Sequence, residues 1–147
     1  MKNAAKERAK ALAFYRQFLP DLDASIMLLD NRLASAIICT IEHDAEPDID
    51  PTHWGCCYCF DDFSFVVAVN YKLPLLVQLK IMAHEMAHVR QYQLGKNMPN
   101  TSGLEYSNDP SEIDANGRSS FWFGKLMVEP GNEWMLKTKI PGEYLQC

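Results

Sequence analysis

The run Pro74-Leu-Leu-Val-Gln-Leu-Lys-Ile-Met-Ala-His84-Glu85-Met-Ala-His88-Val-Arg-Gln-Tyr-Gln-Leu-Gly95 decides how the rest of the chain is read. Between its ends it has no Pro or Gly. It is rich in Leu, Met, Ala, Gln and Lys, and it stops at a Gly, which accepts the left-handed backbone that closes a helix. The spacing predicts one long central helix from Pro74 to Leu94. Its first half is apolar nearly all round, the pattern of a helix buried in a core. His84 and His88 stand four apart, so both imidazoles leave one face of that helix and can bind a single cation at about 2.0–2.1 Å per nitrogen. Glu85 lies on the neighbouring flank. A carboxylate there sits beside the open coordination position, where it can take a proton from a metal-activated water and pass it to a leaving group. A bare His-x-x-x-His pair is more often a surface or core pair. The buried mid-helix setting, the Glu at the required place and the closing Gly95 favour the metal reading.

Working outward, residues from Ala4 to about Phe18 alternate Lys, Arg and Glu with Ala, Leu and Phe at helical spacing until Pro20, which predicts a covering helix. Its Lys2, Lys6, Arg8 and Lys10 read as a solvated face rather than a polyanion site. A second helix is expected over Ala24 to Ala34, followed by a β-prone run from Ser35 to Ile41. His43 to Thr52, acidic and with two prolines, reads as a loop. Trp54 to Phe60 and Phe63 to Asn70 read as strands joined by a turn at Asp61-Asp62, the second of them well buried, and with the preceding run they would form a small meander. After a polar connection from Lys96 to Asn108, a further helix starts with Asp109 as N-cap and Pro110 in the first helical position and continues to about Val128. The tail from Glu129 to Cys147 is expected to be loop with one short element. The fold class is α+β, as a single domain over residues 1–147, with N-terminal helices, a small and mostly antiparallel sheet, and two helices carrying the site.

At the central helix, His84-Glu85-Met86-Ala87-His88 resembles the HExxH motif of the zincin metallopeptidases. Val89-Arg90-Gln91 resembles the continuation common in small HExxH proteins. The resemblance spans the strand at Phe63 to the helix near Gly124. The longer metzincin signature needs a Gly and a third His soon after the second, and Leu94-Gly95-Lys96 supplies no such His. The resemblance implies a zincin-like fold, one Zn2+ per chain bound by His84 and His88, and Glu85 as general base in peptide hydrolysis. A catalytic zinc takes three protein ligands and a water. Pro110-Ser-Glu112-Ile-Asp114-Ala-Asn116 resembles the Glu-bearing helix of the gluzincins, which implies Glu112 as third ligand. Asn116 then stands where a residue supports a histidine ligand; better-known gluzincins place Asp there. Asp114 stays open as ligand or supporting acceptor. Asp109-x-x-Glu112 is also a capping-box arrangement that requires no metal. Tyr106 and Arg118 are both candidates for the donor facing an oxyanion. The compact form is similar to short metallopeptidases encoded by bacteria and their viruses.

The bulk properties bound this reading. With 147 residues and 48% apolar content the chain can bury a real core. A net charge of −5 argues against a mainly electrostatic partnership with nucleic acid or anionic membrane. No run approaches the ~18 apolar residues of a membrane span. Five cysteines, three of them crowded at Cys56, Cys57 and Cys59, read as reduced thiols in a cytoplasmic setting. With His53 they lack the paired spacing of a zinc ribbon, and Cys39 has no base beside it. His43 and His53 fall in or near loops. The expected partner is a peptide or protein substrate. Two rival readings are a non-catalytic or regulatory zincin-like metal-binding protein, which an intact Glu85 counts against, and a SprT-like DNA-associated protease, which the acidic balance counts against.

Overall fold

The strand Phe65–Val69 is buried at every position, as a run of β-formers with apolar residues on both faces requires. The computed structural model, which describes residues 2–42, 52–95 and 109–144, places this strand at the centre of a three-stranded sheet. In chain order the elements are α1 (Ala4–Arg16), β1 (Ile26–Asp30), α2 (Asn31–Glu42), β2 (Gly55–Cys59), β3 (Phe65–Val69), α3 (Leu75–Gln93), α4 (Pro110–Met127) and α5 (Glu133–Lys137), with a short 3-10 turn at Gly142–Tyr144. The class is α+β. Among the described residues no helix is long and apolar enough to cross a membrane.

The sheet order is β1-β3-β2. β2 and β3 form the expected antiparallel hairpin, pairing Gly55 with Val69 and Cys59 with Phe65. Its turn is held by Asp62, whose Oδ1 accepts from the Ser64 amide at 3.0 Å and from the Ser64 hydroxyl at 2.6 Å. β1 runs parallel to β3, from Ile26 opposite Phe65 to Asp30 opposite Val69. The sheet is therefore mixed rather than mostly antiparallel, and it is not a meander.

The region before the loop corrects the sequence reading. Residues expected to continue a helix to Ala34 include β1, and the β-prone run from Ser35 to Ile41 lies in α2. The cause is spacing. Asn31, Ala34 and Ile38 are the buried positions of α2, three and four apart, while Leu33 and Ile41 face solvent. β-branched side chains only mildly disfavour a helix, and one buried stripe outweighs that preference. The Ile26–Asp30 segment takes the strand because β3 offers it an open edge, an interaction invisible in local sequence.

The two faces of β3 divide the core. Val66 and Ala68 pack with Ala34 and Ile38 of α2, while Phe65, Val67 and Val69 pack with α3. Helix α3 is buried nearly all round, with Leu76, Val77, Leu79, Met82, Ala83, Met86, Ala87 and Val89 all in the core. It ends as expected at Gly95, whose φ is +68°. α1 covers one flank: the buried Tyr15 hydroxyl donates to the Leu79 carbonyl at 2.9 Å, and Arg8 donates to Gln78 Oε1 at 2.8 Å and stacks over Tyr71. Arg8 thus serves the helix packing. α4 covers another flank, and its first turn lies against the C-terminal half of α3.

Candidate metal centre

His84, Glu85 and His88 sit where α3 passes beneath the sheet, and their ligand atoms lie within 4.8 Å of one another. The group could hold a metal ion. The helix spacing alone brings the two imidazoles together, with ring centroids 4.9 Å apart and nearly perpendicular planes.

The other half of the site comes from α4. Asp109 caps that helix, its Oδ1 accepting from the Ser111 amide at 2.9 Å, and Pro110 occupies the first turn as expected. Three residues past the cap, Glu112 turns its carboxylate to α3. Its Oε2 is 2.9 Å from His84 Nε2 and its Oε1 is 3.0 Å from His88 Nε2. Donors bound to one cation at about 2 Å each stand roughly 3 Å from one another. Each histidine Nε2 is already that close to one oxygen of the Glu112 carboxylate.

Glu85 supplies a second test of fit. It is only 6% exposed, and its Oε2 is buried without a hydrogen-bond partner among the described residues. A buried unpartnered carboxylate oxygen is costly, and such a group calls for a ligand. Burial pushes the Glu85 carboxyl above the usual range, an effect that the nearby His88 and His84 oppose and Glu112 reinforces. Two imidazoles with two carboxylates beside them are a donor set that suits a divalent cation taking nitrogen and oxygen.

The remaining sequence candidates fall into two places. Asp114 is turned away from the histidines: its Oδ2 accepts from Gln91 Nε2 at 2.9 Å and its Oδ1 from Arg118 Nε at 2.9 Å. Arg118 therefore lies in a separate hollow with Arg90 and Gln91, away from the cleft that opens over the metal centre. Asn116 lies on the cleft wall, and the support found for a histidine comes from Gln91, whose Oε1 is 2.8 Å from His88 Nδ1. Tyr106 lies outside the described residues, as does His43.

The cleft has a volume of about 480 Å³ and is walled by Trp54, Gly55, Ile81, His84 and Glu85, with Lys80, Asn116 and Ser119 adding polar groups. Sequence reading passed over Gly55. A Cβ there would stand 2.5 Å from Ile81 Cγ2 and 3.3 Å from Glu85 Cγ, so β2 can approach the helix this closely only with a glycine. Gln91 was also passed over, although its place three residues after His88 puts it on the same helix face. The thiols of β2 behave as packing groups. Burial, reinforced by Glu85, pushes the Cys56 thiol up to about 12 and raises Cys57 as well, far from a thiolate nucleophile or ligand.

Compared with known protein families, with curated proteins and with solved structures, the chain matches none of them.

Proposed function

We propose that this chain is a zincin-like metallopeptidase of the gluzincin type, hydrolysing peptide bonds with one zinc held by His84, His88 and Glu112. One observation carries the reading. The Nε2 atoms of two histidines on α3 converge on the Glu112 carboxylate of α4, beside a Glu85 whose Oε2 is buried and has no hydrogen-bond partner among the described residues. That combination of donors and a spare base is what a hydrolytic zinc site requires.

When bound, the zinc would polarise the scissile carbonyl and lower the pKa of a water towards neutrality. Glu85 takes the proton of the attacking water and delivers it to the leaving nitrogen. Burial raises its pKa, which makes the carboxylate a stronger base toward the water's proton. Burial also excludes bulk water from the carboxylate. β2 is an edge of the sheet, and its first residue, Gly55, lies in the cleft wall. An extended peptide can add along that edge and cross the site beside Glu85. Lys80, Asn116 and Ser119 supply polar groups of the cleft, while Arg118, one of the two candidate oxyanion donors, is engaged with Asp114.

The test has two parts. Purified protein should contain close to one zinc per chain by elemental mass spectrometry. It should also cleave members of a mixed peptide library, with cleavage abolished by chelation and restored by zinc. A protein that takes up no zinc at neutral pH refutes the proposal.

A further inference from the structure

The Gln91 side chain is 3% exposed and makes three hydrogen bonds whose directions can all be assigned. Its Nε2 donates to the Ser111 carbonyl at 2.8 Å and to Asp114 Oδ2 at 2.9 Å. A backbone carbonyl only accepts, and so does an ionised carboxylate. The Ser111 carbonyl by itself fixes which end of the amide faces α4, and the other oxygen of Asp114 already accepts from Arg118 Nε at 2.9 Å. Both amide protons are therefore committed to α4, and the amide cannot be flipped. Its Oε1, which only accepts, faces His88 Nδ1 at 2.8 Å. The Nδ1 must carry the hydrogen.

From this we infer that Gln91 is the positioning residue of the metal centre: it fixes His88 in the Nδ1–H form, leaving the Nε2 lone pair for the metal, and holds the α4 turn that presents Glu112. Ser111 and Asp114 flank Glu112 in that turn, so a single amide spans one ligand on α3 and the turn carrying another on α4. The pairing of His88 with an amide rather than a carboxylate leaves the ring without an added negative charge on its far side. The inference rests on the zinc reading proposed above.

The experiment compares zinc affinity, by chelator competition, in wild type, Gln91→Leu and Gln91→Glu. It is combined with nitrogen-15 NMR of the histidine rings in the zinc-loaded proteins. Wild type should show a His88 Nδ1–H protected from exchange and nitrogen shifts of an Nε2-bound ring. Gln91→Leu removes acceptor and donors together. It should lose that protected proton and bind zinc roughly 10–100-fold more weakly, the usual effect of removing a hydrogen bond to a ligating histidine. Gln91→Glu keeps an acceptor for His88 while losing both donations to α4. It should retain the protected proton and bind zinc more tightly than Gln91→Leu, and it carries the test if the Leu variant does not fold. Zinc affinity within twofold of wild type in a folded Gln91→Leu, or in Gln91→Glu loss of the protected proton, overturns this inference alone. A wild type that binds no zinc overturns it together with the proposed function.

Discussion

Glu112 Oε2 lies 2.9 Å from His84 Nε2, although 28 positions of chain separate the two residues. The contact depends on how α3 and α4 pack, and it takes the Glu112 side chain to α3 rather than leaving it to cap its own helix. Asp114, two residues on, is engaged by Gln91 and Arg118 instead. Glu112→Ala should accordingly abolish tight zinc binding, while Asp114→Ala should weaken it no more than ~10–100-fold. Loss of a capping interaction alone would cost about 1 kcal/mol of stability and leave the metal untouched. Chelator competition and thermal melts on the two variants separate these outcomes, and unchanged affinity in Glu112→Ala would remove Glu112 from the ligand set.

Glu85 can be tested without disturbing the metal. Glu85→Gln preserves the shape of a buried side chain but removes its ability to accept a proton. The variant should keep one zinc per chain and a melting temperature close to that of wild type, yet lose peptide hydrolysis by at least ~100-fold. Activity equal to wild type on any peptide that wild type cleaves would show that another group serves as base.

How much of this arrangement could be read beforehand follows from where the information lies. The ends of α3 and α4 were legible because Gly95 and Asp109-Pro110 carry their own backbone chemistry, and the hairpin because its turn and its runs of β-formers are local. The segment from Ile26 to Glu42 was misread because β1 exists through its pairing with β3, and because α2 shows its helical stripe only once Ala34 and Ile38 are seen to face the sheet. At the site, the spacing of His84, Glu85 and His88 was sufficient to single out a group near enough to hold a metal ion. Glu112 needed a resemblance to be singled out. Gln91 could not be assigned, because its meaning depends on the Ser111 carbonyl and Asp114, which only the packing of α4 brings to it.

Proton binding gives a third prediction, for the zinc-free protein. Burial acts to lower the pKa of His88, but the hydrogen bond it donates to Glu112, the charges of Glu85 and Glu112 and the hydrogen bond to Gln91 outweigh it and carry the value up to about 9. The ordinary value is 6.5, so the folded state holds this proton more tightly than the unfolded chain. The resulting stabilisation is fully present below about pH 6.5 and is lost as pH rises through about 9, amounting to at most about 3 kcal/mol. The Glu85 carboxyl, also raised, gives the same sign. The melting temperature of chelator-stripped protein should therefore fall between pH 6.5 and 9.5, whereas zinc-loaded protein should not show that fall, because the metal takes the proton's place. Zinc titrations at pH 7 in buffers of different ionisation enthalpy should register proton release. A flat stability profile in the stripped protein would contradict the charge assignment.

The last prediction concerns the contact between β2 and the Glu85 flank of α3. A Cβ on residue 55 would stand 2.5 Å from Ile81 Cγ2, 3.0 Å from the Ala68 carbonyl oxygen and 3.3 Å from Glu85 Cγ. None of these neighbours yields easily: the first is a methyl on a branched carbon, the second is backbone of the paired central strand, and the third belongs to the proposed base. Gly55→Ala must therefore push the edge strand off the helix or displace Ile81 and Glu85, and overpacking of this kind costs about 1–3 kcal/mol. Gly117→Ala is the matched control. That glycine lies inside α4 with nothing within 4 Å of the added carbon, so alanine should stabilise by about 0.5–1 kcal/mol through helix propensity. Urea denaturation should move the two midpoints in opposite directions. Activity separates the effects further. Gly55→Ala should lower kcat while zinc content stays near one per chain, because the methyl presses on Glu85 and not on the two histidines or Glu112. If Gly55→Ala matches wild type in both stability and turnover, the close approach of β2 does not set the position of Glu85.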